Sequence, residues 1–390
     1  MRTSCLFAEQ HPDHRSVFCR EDKMKRLTLA LCLLSPFVIL FACGGGGGGG
    51  ADEIIATPVA QNLSVTIGQL DTSISGTDTK WWGGVKGPDN KIYSIPFDAQ
   101  DILIIDPDSN TAKRRAMGAD MSGSNKWANG CLGADGKIYG VPYNASDVLI
   151  IDPLSGTAVR TDFGLDLQGT EKWAGAVLGK DNKIYAIPRD STTILIIDPA
   201  TGTATRSTMG ANLGGERKWS GGILANNGKI YGVPRSSLNI LIIDPASGTA
   251  SRSTMGAAFD STHRYADGIL AQNGKIYAIP YSKTPAILII DPDNNTAKLS
   301  TMGANLSNSG WSEAILGPDQ KIYAVPYTSS DILTIDPAAG KAFRSSIPGV
   351  RPTDSGKWVM GDIVNNKFYG IPYGAENIIQ IEFIKDAAPP

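Results

Sequence analysis

Two acidic residues, Asp267 and Glu313, occupy the same position in successive copies of a sequence repeat and could act together chemically. At that position the other copies carry uncharged residues: Gly83, Asn129, Gly175, Gly221 and Met360. Two carboxylates held close together can work as a general acid and base or can hold a cation. His263, with Arg264 and Tyr265 beside it, is the third catalytic candidate. Sequence drift at a solvated position explains the same residues without any function.

A basic residue followed by an aromatic one recurs in most copies. The pairs are Lys80 and Trp81, Lys126 and Trp127, Lys172 and Trp173, Lys218 and Trp219, Arg264 and Tyr265, and Lys357 and Trp358, with Trp311 alone in the sixth copy. We expect them to share one rim with a second set: Phe97, Tyr143, Arg189, Arg235, Tyr281, Tyr327 and Tyr373. Such a rim suits sugars or acidic polymers, which it would bind by stacking and charge. Alternatively, each tryptophan wedges between structural units and each lysine is its solvated neighbour.

Several catalytic and metal-binding motifs are missing from the chain. It has no HExxH, no GxSxG and no Walker loop, and in the mature chain expected after removal of the leader a histidine-based hydrolytic triad would depend entirely on His263. Two triplets have a spacing that could hold calcium with further oxygen ligands: Asp106, Asp108 and Asn110, and Asp291, Asp293 and Asn295. A tight turn explains both triplets. We therefore predict no metal and no cofactor, and an enzyme is the less favoured class.

The candidate residues are positioned by a repeat of 46 residues. The tripeptide KIY begins at Lys91, Lys137, Lys183, Lys229, Lys275 and Lys321, and KFY begins at Lys367. A period of about 40 to 50 residues made of short strands is typical of a propeller blade, whereas helical repeats place apolar residues at 3.6-residue spacing. The sequence predicts an all-β, seven-bladed β-propeller of four-stranded antiparallel blades. In the fourth copy the predicted strands are 219–225, 229–233, 240–243 and 249–254.

Turn residues and the two ends of the repeat support this fold. Pairs such as Asp89 and Asn90, or Asn227 and Gly228, tolerate the positive φ of a two-residue hairpin. The seventh copy lacks a fourth strand, and residues 64–70 have a strand pattern that no copy uses. We predict that this N-terminal strand completes the last blade and closes the ring, which leaves no exposed edge at the junction.

The order of motifs resembles the kelch family of propellers. An apolar strand, a turn, GKIY and ILIIDPASGTA follow one another over about residues 64–385, as a glycine pair, a tyrosine strand and an aspartate-proline turn do in kelch repeats. This chain has Ile95 and Pro96 where kelch repeats carry Gly-Gly, and Ala112 where they carry tryptophan, so YVTN and NHL propellers resemble it nearly as well. The resemblance implies the fold and a habit of binding, but no particular reaction.

The N-terminal segment has the pattern of a bacterial lipoprotein signal. Lys25 and Arg26 precede an apolar run over 27–42 that is shorter than the ~20 residues of a membrane-spanning helix. The run ends at Cys43, the expected lipidation site, and seven glycines follow as a flexible tether. The predicted organisation is a leader over 1–43 with its true start at Met24, a tether over 44–62, a propeller over 63–385 and a tail over 386–390.

Composition limits the partners. With 36 basic and 38 acidic residues, the formal charge of -2 gives no general attraction to nucleic acid. We predict an extracytoplasmic, monomeric lipoprotein, anchored to a bacterial membrane, whose propeller binds a carbohydrate, an anionic polymer or a protein. Two alternatives stay open: an envelope enzyme, a lyase or sugar-modifying activity at blades five and six, and a scaffold of an envelope assembly.

Overall fold

Short antiparallel strands make up the regular structure of this protein. The computed structural model describes residues 54–55, 63–68, 70, 73–74, 79–260, 264–281, 284–307, 310–350 and 356–384, all within one compact unit, Asp52–Pro390. No helix occurs over these residues, so no membrane-spanning helix is found in them. Two strands precede the first blade: β1 (Ile54–Ile55) and β2 (Leu63–Gly68).

Six four-stranded blades follow in chain order. Blade one contains β3 (Trp81–Lys86), β4 (Ile92–Pro96), β5 (Ile102–Asp106) and β6 (Thr111–Arg115), and blade two contains β7 (Trp127–Leu132), β8 (Ile138–Pro142), β9 (Val148–Asp152) and β10 (Thr157–Thr161). Blade three contains β11 (Trp173–Leu178), β12 (Ile184–Pro188), β13 (Ile194–Asp198) and β14 (Thr203–Ser207), and blade four contains β15 (Trp219–Leu224), β16 (Ile230–Pro234), β17 (Ile240–Asp244) and β18 (Thr249–Ser253). Blade five contains β19 (Tyr265–Leu270), β20 (Ile276–Pro280), β21 (Ile287–Asp291) and β22 (Thr296–Ser300), and blade six contains β23 (Trp311–Leu316), β24 (Ile322–Pro326), β25 (Asp331–Asp336) and β26 (Lys341–Ser346).

Blade seven joins the two ends of the chain. It contains β27 (Trp358–Val364), β28 (Lys367–Pro372) and β29 (Ile378–Phe383), and its fourth strand is β2, which pairs antiparallel with β29. The predicted closure by an N-terminal strand is confirmed. Strand β1 pairs with β2 as a fifth strand of the same sheet, and it lies within the segment that the sequence analysis assigned to the tether.

The first strand of each blade contacts the first strands of both neighbouring blades, and β27 contacts β3, which closes the ring. These innermost strands surround a central channel. The seven-bladed, four-stranded architecture predicted from the 46-residue repeat is therefore confirmed. In blade four the observed strands β15 to β18 begin and end within one residue of the predicted bounds.

Burial follows the position of each strand within its blade. The second strands are buried throughout, since neighbouring blades cover both of their faces, and this explains their apolar sequences. The fourth strands are exposed on the outside and are rich in Thr, Ser, Lys and Arg, residues that discourage edge-to-edge association. The predicted turn conformations are confirmed by the positive φ of residues such as Asn90 and Gly228.

Candidate functional site

A β-bulge in each innermost strand turns two residues out of the regular ladder. In blade three, Trp173 pairs with Pro188 and Ala176 with Ala186, so that two residues oppose one on the partner strand. The same register shift follows the first aromatic residue in blades one to six. Bulges re-aim side chains, and the residues freed here are those that face the channel.

The first bulge residue is large in one blade and small in the others. Trp82 stands in blade one, and blades two to six carry Ala128, Ala174, Ser220, Ala266 and Ser312; the equivalent residue of blade seven, Val359, pairs with Ile371 because the bulge there begins one residue later. The Trp82 ring packs at 5.0 Å from Phe97, 5.8 Å from Tyr143 and 5.6 Å from Tyr373, measured between ring centroids. Trp82 therefore fills the part of the channel next to blades one, two and seven.

The residue after each second strand forms a ring at the channel mouth, which we call the mouth ring. Its members are Phe97, Tyr143, Arg189, Arg235, Tyr281, Tyr327 and Tyr373. Neighbouring aromatic rings contact one another at 5.4–6.0 Å. The two arginines flank the aromatic series, with Arg189 5.4 Å from the Tyr143 ring centroid and Arg235 4.5 Å from that of Tyr281.

The mouth ring is closed on one side and open on the other. Phe97, Tyr143 and Arg189 are buried, and two nitrogens of Arg189 bond Glu171 at 2.8 and 2.9 Å. The other four members are half-buried and line a small cavity of about 30 Å³, together with Trp82. Its floor is made by the bulge residues Ser220, Ala266, Ser312 and Glu313. We call this cavity the mouth pocket.

The structure brings Asp267 and Glu313 together: Glu313 lies at the floor of the mouth pocket, and Asp267 lies beside Glu313 and is not part of the pocket lining. Asp267 is 9% exposed and lies against Gly221 of blade four, and Glu313 is 6% exposed and accepts a hydrogen bond from the Met360 N–H. Burial raises the pKa of Asp267 to about 7, although the Gly268 N–H donates to its Oδ1 at 2.8 Å. Burial and then the charge of Asp267 raise the pKa of Glu313 well above its usual value.

The predicted rim of lysines and tryptophans is buried instead of solvent-exposed. Five tryptophans and Tyr265 are fully buried, Trp358 nearly so, and the indole N–H of each tryptophan donates to a backbone oxygen at 2.7–2.9 Å: Trp81, Trp127, Trp173, Trp219, Trp311 and Trp358. The lysines beside them are also buried: Lys80, Lys126, Lys172, Lys218 and Lys357. The tryptophans thus match the structural alternative, whereas the lysines are not the solvated neighbours that it assumed.

Each of three buried lysines donates hydrogen bonds to backbone carbonyls in the mouth-ring loop of the preceding blade and so holds that loop in place. Lys126 Nζ donates to the carbonyls of Phe97, Ala99 and Gly123 at 2.8–3.0 Å. Lys172 and Lys218 make the equivalent bonds, including one to the carbonyl of Tyr143 and one to that of Arg189. Burial lowers the pKa of all three to about 8. These lysines are positioning residues for the closed side of the mouth.

Two blades depart from the lysine pattern, and they adjoin the mouth pocket. Arg264 is exposed, and its N–H donates to Thr284 Oγ1 at 2.8 Å. Gly310 stands at the same position in blade six and has no side chain to serve as an anchor. His263 lies outside the described residues, as do Cys43 and the leader.

Sequence reasoning missed that Trp82 fills part of the channel mouth; we call this side chain the plug. It also missed the difference in exposure between members of the mouth ring. Trp82 had a signal: one tryptophan among three alanines, two serines and a valine at the position after the first aromatic residue of each copy. The burial of the lysines had no signal in the sequence, since their partners are backbone carbonyls.

Comparisons with known proteins support the fold. No protein-family profile matches the chain, and no curated protein sequence matches it. Among solved structures, a catalytically inactive virginiamycin B lyase from Staphylococcus aureus, solved with quinupristin, is 10% identical, covers 83% of this chain and 100% of its own, and has a TM-score of 0.64. A streptogramin B lyase is 12% identical, covers 84% and 100%, and has a TM-score of 0.63.

The extracellular domain of a putative hybrid two-component system from B. thetaiotaomicron is 10% identical, with a TM-score of 0.57 over 80% of this chain and 40% of that one. Sequence identities this low do not assign the activities of those proteins to this chain, because one fold hosts many functions. Together with the strand pairing, these similarities establish that this chain is similar in fold to known β-propellers and is itself a seven-bladed one.

Proposed function

We propose that the protein is a binding module whose ligand, a saccharide with an acidic group, sits on the mouth pocket. One observation carries the proposal: Trp82 fills one half of the channel mouth, and the other half is left open beneath three tyrosines and an arginine. A repeat built only for stability has no need of this asymmetry. The ring of buried tryptophans serves the fold, and the mouth pocket is the part that differs between blades.

The chemistry of the walls supports a saccharide. Tyr281, Tyr327 and Tyr373 offer aromatic faces for the C–H faces of a sugar and hydroxyl groups for its polar edge. Arg235 is half-buried, and its planar guanidinium can pair with a carboxylate in a bidentate manner. A cavity of about 30 Å³ accepts one terminal group, so the sugar ring itself would lie across the mouth.

Calorimetry with two probes tests this proposal. We expect a galacturonic acid tetrasaccharide to bind the full-length protein more tightly than the neutral galactose tetrasaccharide, because of Arg235. Tyr281→Ala and Arg235→Ala should each weaken binding at least about tenfold. Arg206→Ala is the matched control, since Arg206 is an exposed arginine on the outer strand β14. Equal binding of both probes, or a loss with Arg206→Ala as large as with Arg235→Ala, would contradict the proposal.

The carboxyl pair favours a second candidate, a lyase. A carboxylate whose pKa is about 7 is suited to removing a proton near neutral pH, and Glu313 beside it could return a proton to the leaving group. Turnover of the acidic probe would release an unsaturated sugar that absorbs in the ultraviolet. Asp267→Asn and Glu313→Gln should then abolish turnover without unfolding the protein, and Asn129→Asp should create none. Unchanged probe after prolonged incubation would rule out this candidate for that substrate class.

We further propose that the binding module acts outside the cytoplasm, anchored through a lipid on Cys43. The basic region, the short apolar run and the cysteine before the glycine tract support this location. Metabolic labelling with a fatty acid should mark the protein in its bacterial host, and Cys43→Ala should remove both the label and the membrane association. Unlabelled, soluble wild-type protein would contradict the anchor.

A further inference from the structure

The floor of the mouth pocket contains a buried carboxyl oxygen with no partner. Glu313 Oε2 makes no hydrogen bond with any described residue, although the side chain is 6% exposed. An ionised oxygen there lacks a donor, and a protonated one lacks an acceptor. Buried polar atoms are nearly always paired, so an orphaned atom on a cavity wall indicates that something else completes its hydrogen bonding.

The charges around this oxygen are unbalanced. Glu313 lines the floor, Asp267 beside it interacts with it electrostatically, and both carboxyls are buried. The polar side chains that line the cavity with Glu313 are Arg235, which packs on Tyr281, the tyrosines of the mouth ring, Ser220 and Ser312. Without a cation at the floor, the pair must retain a proton at neutral pH, because two buried carboxylates cannot both ionise side by side.

We propose that the floor of the mouth pocket is a subsite for the primary ammonium group of the ligand, which displaces a proton from Asp267 and Glu313 as it enters. The proton passes to solvent, and the ammonium takes over its role as counter-charge. This inference rests on the mouth pocket of the proposed function and narrows the ligand class. The ligand would carry an amine that reaches the floor and an acidic group that reaches Arg235.

Size and surroundings favour a primary ammonium. A cavity of about 30 Å³ holds a group the size of a water molecule or a small ammonium, but not a quaternary ammonium. Trp82, Tyr281, Tyr327 and Tyr373 line its walls, and aromatic rings attract cations. The carboxyl oxygens accept the N–H donors that an ammonium presents.

Proton release is the direct test, and it needs no variant. Methylammonium chloride is titrated into the full-length protein at pH 6.5, in two buffers with different ionisation enthalpies. We expect saturable binding with about one proton released, and tetramethylammonium should bind at least about tenfold more weakly because it is too large. Binding without proton release, or equal binding of both ions, would overturn the proposal. Potassium chloride that binds as tightly as methylammonium would also overturn it, since the site would then be one for any small cation.

Two variants and a matched control locate the effect. Glu313→Gln and Asp267→Asn should each weaken methylammonium binding at least about tenfold and abolish proton release. Asp362→Asn should change neither, because Asp362 is a partly buried channel carboxyl whose oxygens accept the N–H groups of Ile363 and Lys86. A loss with Asp362→Asn equal to that with Glu313→Gln would place the effect outside the mouth pocket and overturn the proposal.

Failure of this inference is distinguishable from failure of the proposed function. If methylammonium does not bind but the acidic saccharide does, and Tyr281→Ala weakens it, the saccharide site stands and the ammonium subsite is wrong. If methylammonium binds with proton release but no saccharide binds, the subsite stands and the ligand class of the proposed function is wrong.

Discussion

Two halves of the channel mouth are built from the same repeat, yet one is closed and the other is open. In blades one to three, Phe97, Tyr143 and Arg189 are buried, and a lysine from the next blade bonds the carbonyl of each. In blades four and five, Arg235 and Tyr281 are half-buried, and the lysine positions that would anchor their loops hold Arg264 and Gly310. The difference teaches that this propeller gains a pocket by placing a single plug and by replacing the lysines of two blades, while Lys357 and Lys80 stay buried after the other two open members, Tyr327 and Tyr373.

The largest difference between the halves should be in stability. Trp127→Ala removes a fully buried indole and its hydrogen bond to Asp147, so the free energy of unfolding should fall by ~3–5 kcal/mol. Tyr281→Ala, on the open side, should cost about 1 kcal/mol, because that side chain is already half-exposed. Denaturant unfolding measures both changes. Similar losses would mean that the mouth ring is as much a part of the core as the tryptophans.

The lysine anchors should give the next largest effect. Lys126→Met removes the three hydrogen bonds that Nζ donates to the carbonyls of Phe97, Ala99 and Gly123 and leaves the buried Ala99 carbonyl without this donor, so we expect a loss of ~2–4 kcal/mol in the free energy of unfolding. Arg264→Met changes an exposed side chain at the same position of blade five and should cost less than about 0.5 kcal/mol. Thermal and denaturant unfolding of both variants check this pair. If Arg264→Met costs as much as Lys126→Met, the open half is anchored too.

Moving the plug should convert the open half into a closed one. Ser220→Trp places an indole in the mouth pocket, and we expect methylammonium and saccharide binding to fall at least about tenfold while the fold is kept. Ala128→Trp is the matched change on the closed side, where Ala128 is fully buried, and overpacking there should cost ~1–3 kcal/mol. Calorimetry and unfolding curves together separate the two outcomes. Unchanged binding by Ser220→Trp would show that the ligand does not use this pocket.

The carboxyl pair should produce the smallest effect, a dependence of stability on pH. Because the folded pKa values of Asp267 and Glu313 are raised, the folded protein binds more protons than the unfolded chain above pH ~4. The free energy of unfolding should therefore fall as pH rises from about 4.5 to 7.5, by on the order of 1–2 kcal/mol once water relaxes around the ionised pair. Denaturant unfolding curves at about pH 4.5 and about pH 7.5 measure this change in the free energy of unfolding. Glu313→Gln with Asp267→Asn should flatten the profile, and a wild-type profile equal to that of the double variant would contradict the raised pKa values.

The sequence predicted the fold almost completely, because the determinants of a propeller are local and repeated. The spacing of the KIY tripeptides determined the number of blades, and turn residues such as Asn90 and Gly228 determined the hairpins. The unpaired strand pattern before the first copy predicted the closure by β2. Each of these signals depends on residues close together in the chain or on an exact repeat.

The candidate site was predicted only in part, because it depends on which side of the ring each residue faces. Symmetry breaking marked Asp267 and Glu313, and the structure places them next to each other, with Glu313 on the floor of the mouth pocket. The same reasoning placed the lysines in solvent, since no sequence pattern marks a backbone carbonyl as a partner for Lys126.

The sequence by itself therefore determined the repeat, the blades, the turns and the ring closure, all of which follow from hydrophobic patterning and backbone preference. Tertiary structure decided which side chains are buried, where the β-bulges aim residues into the channel, and that Trp82 closes one half of the mouth. Those features depend on contacts between residues from different blades, often more than 40 positions apart, and only the closed ring brings such residues together.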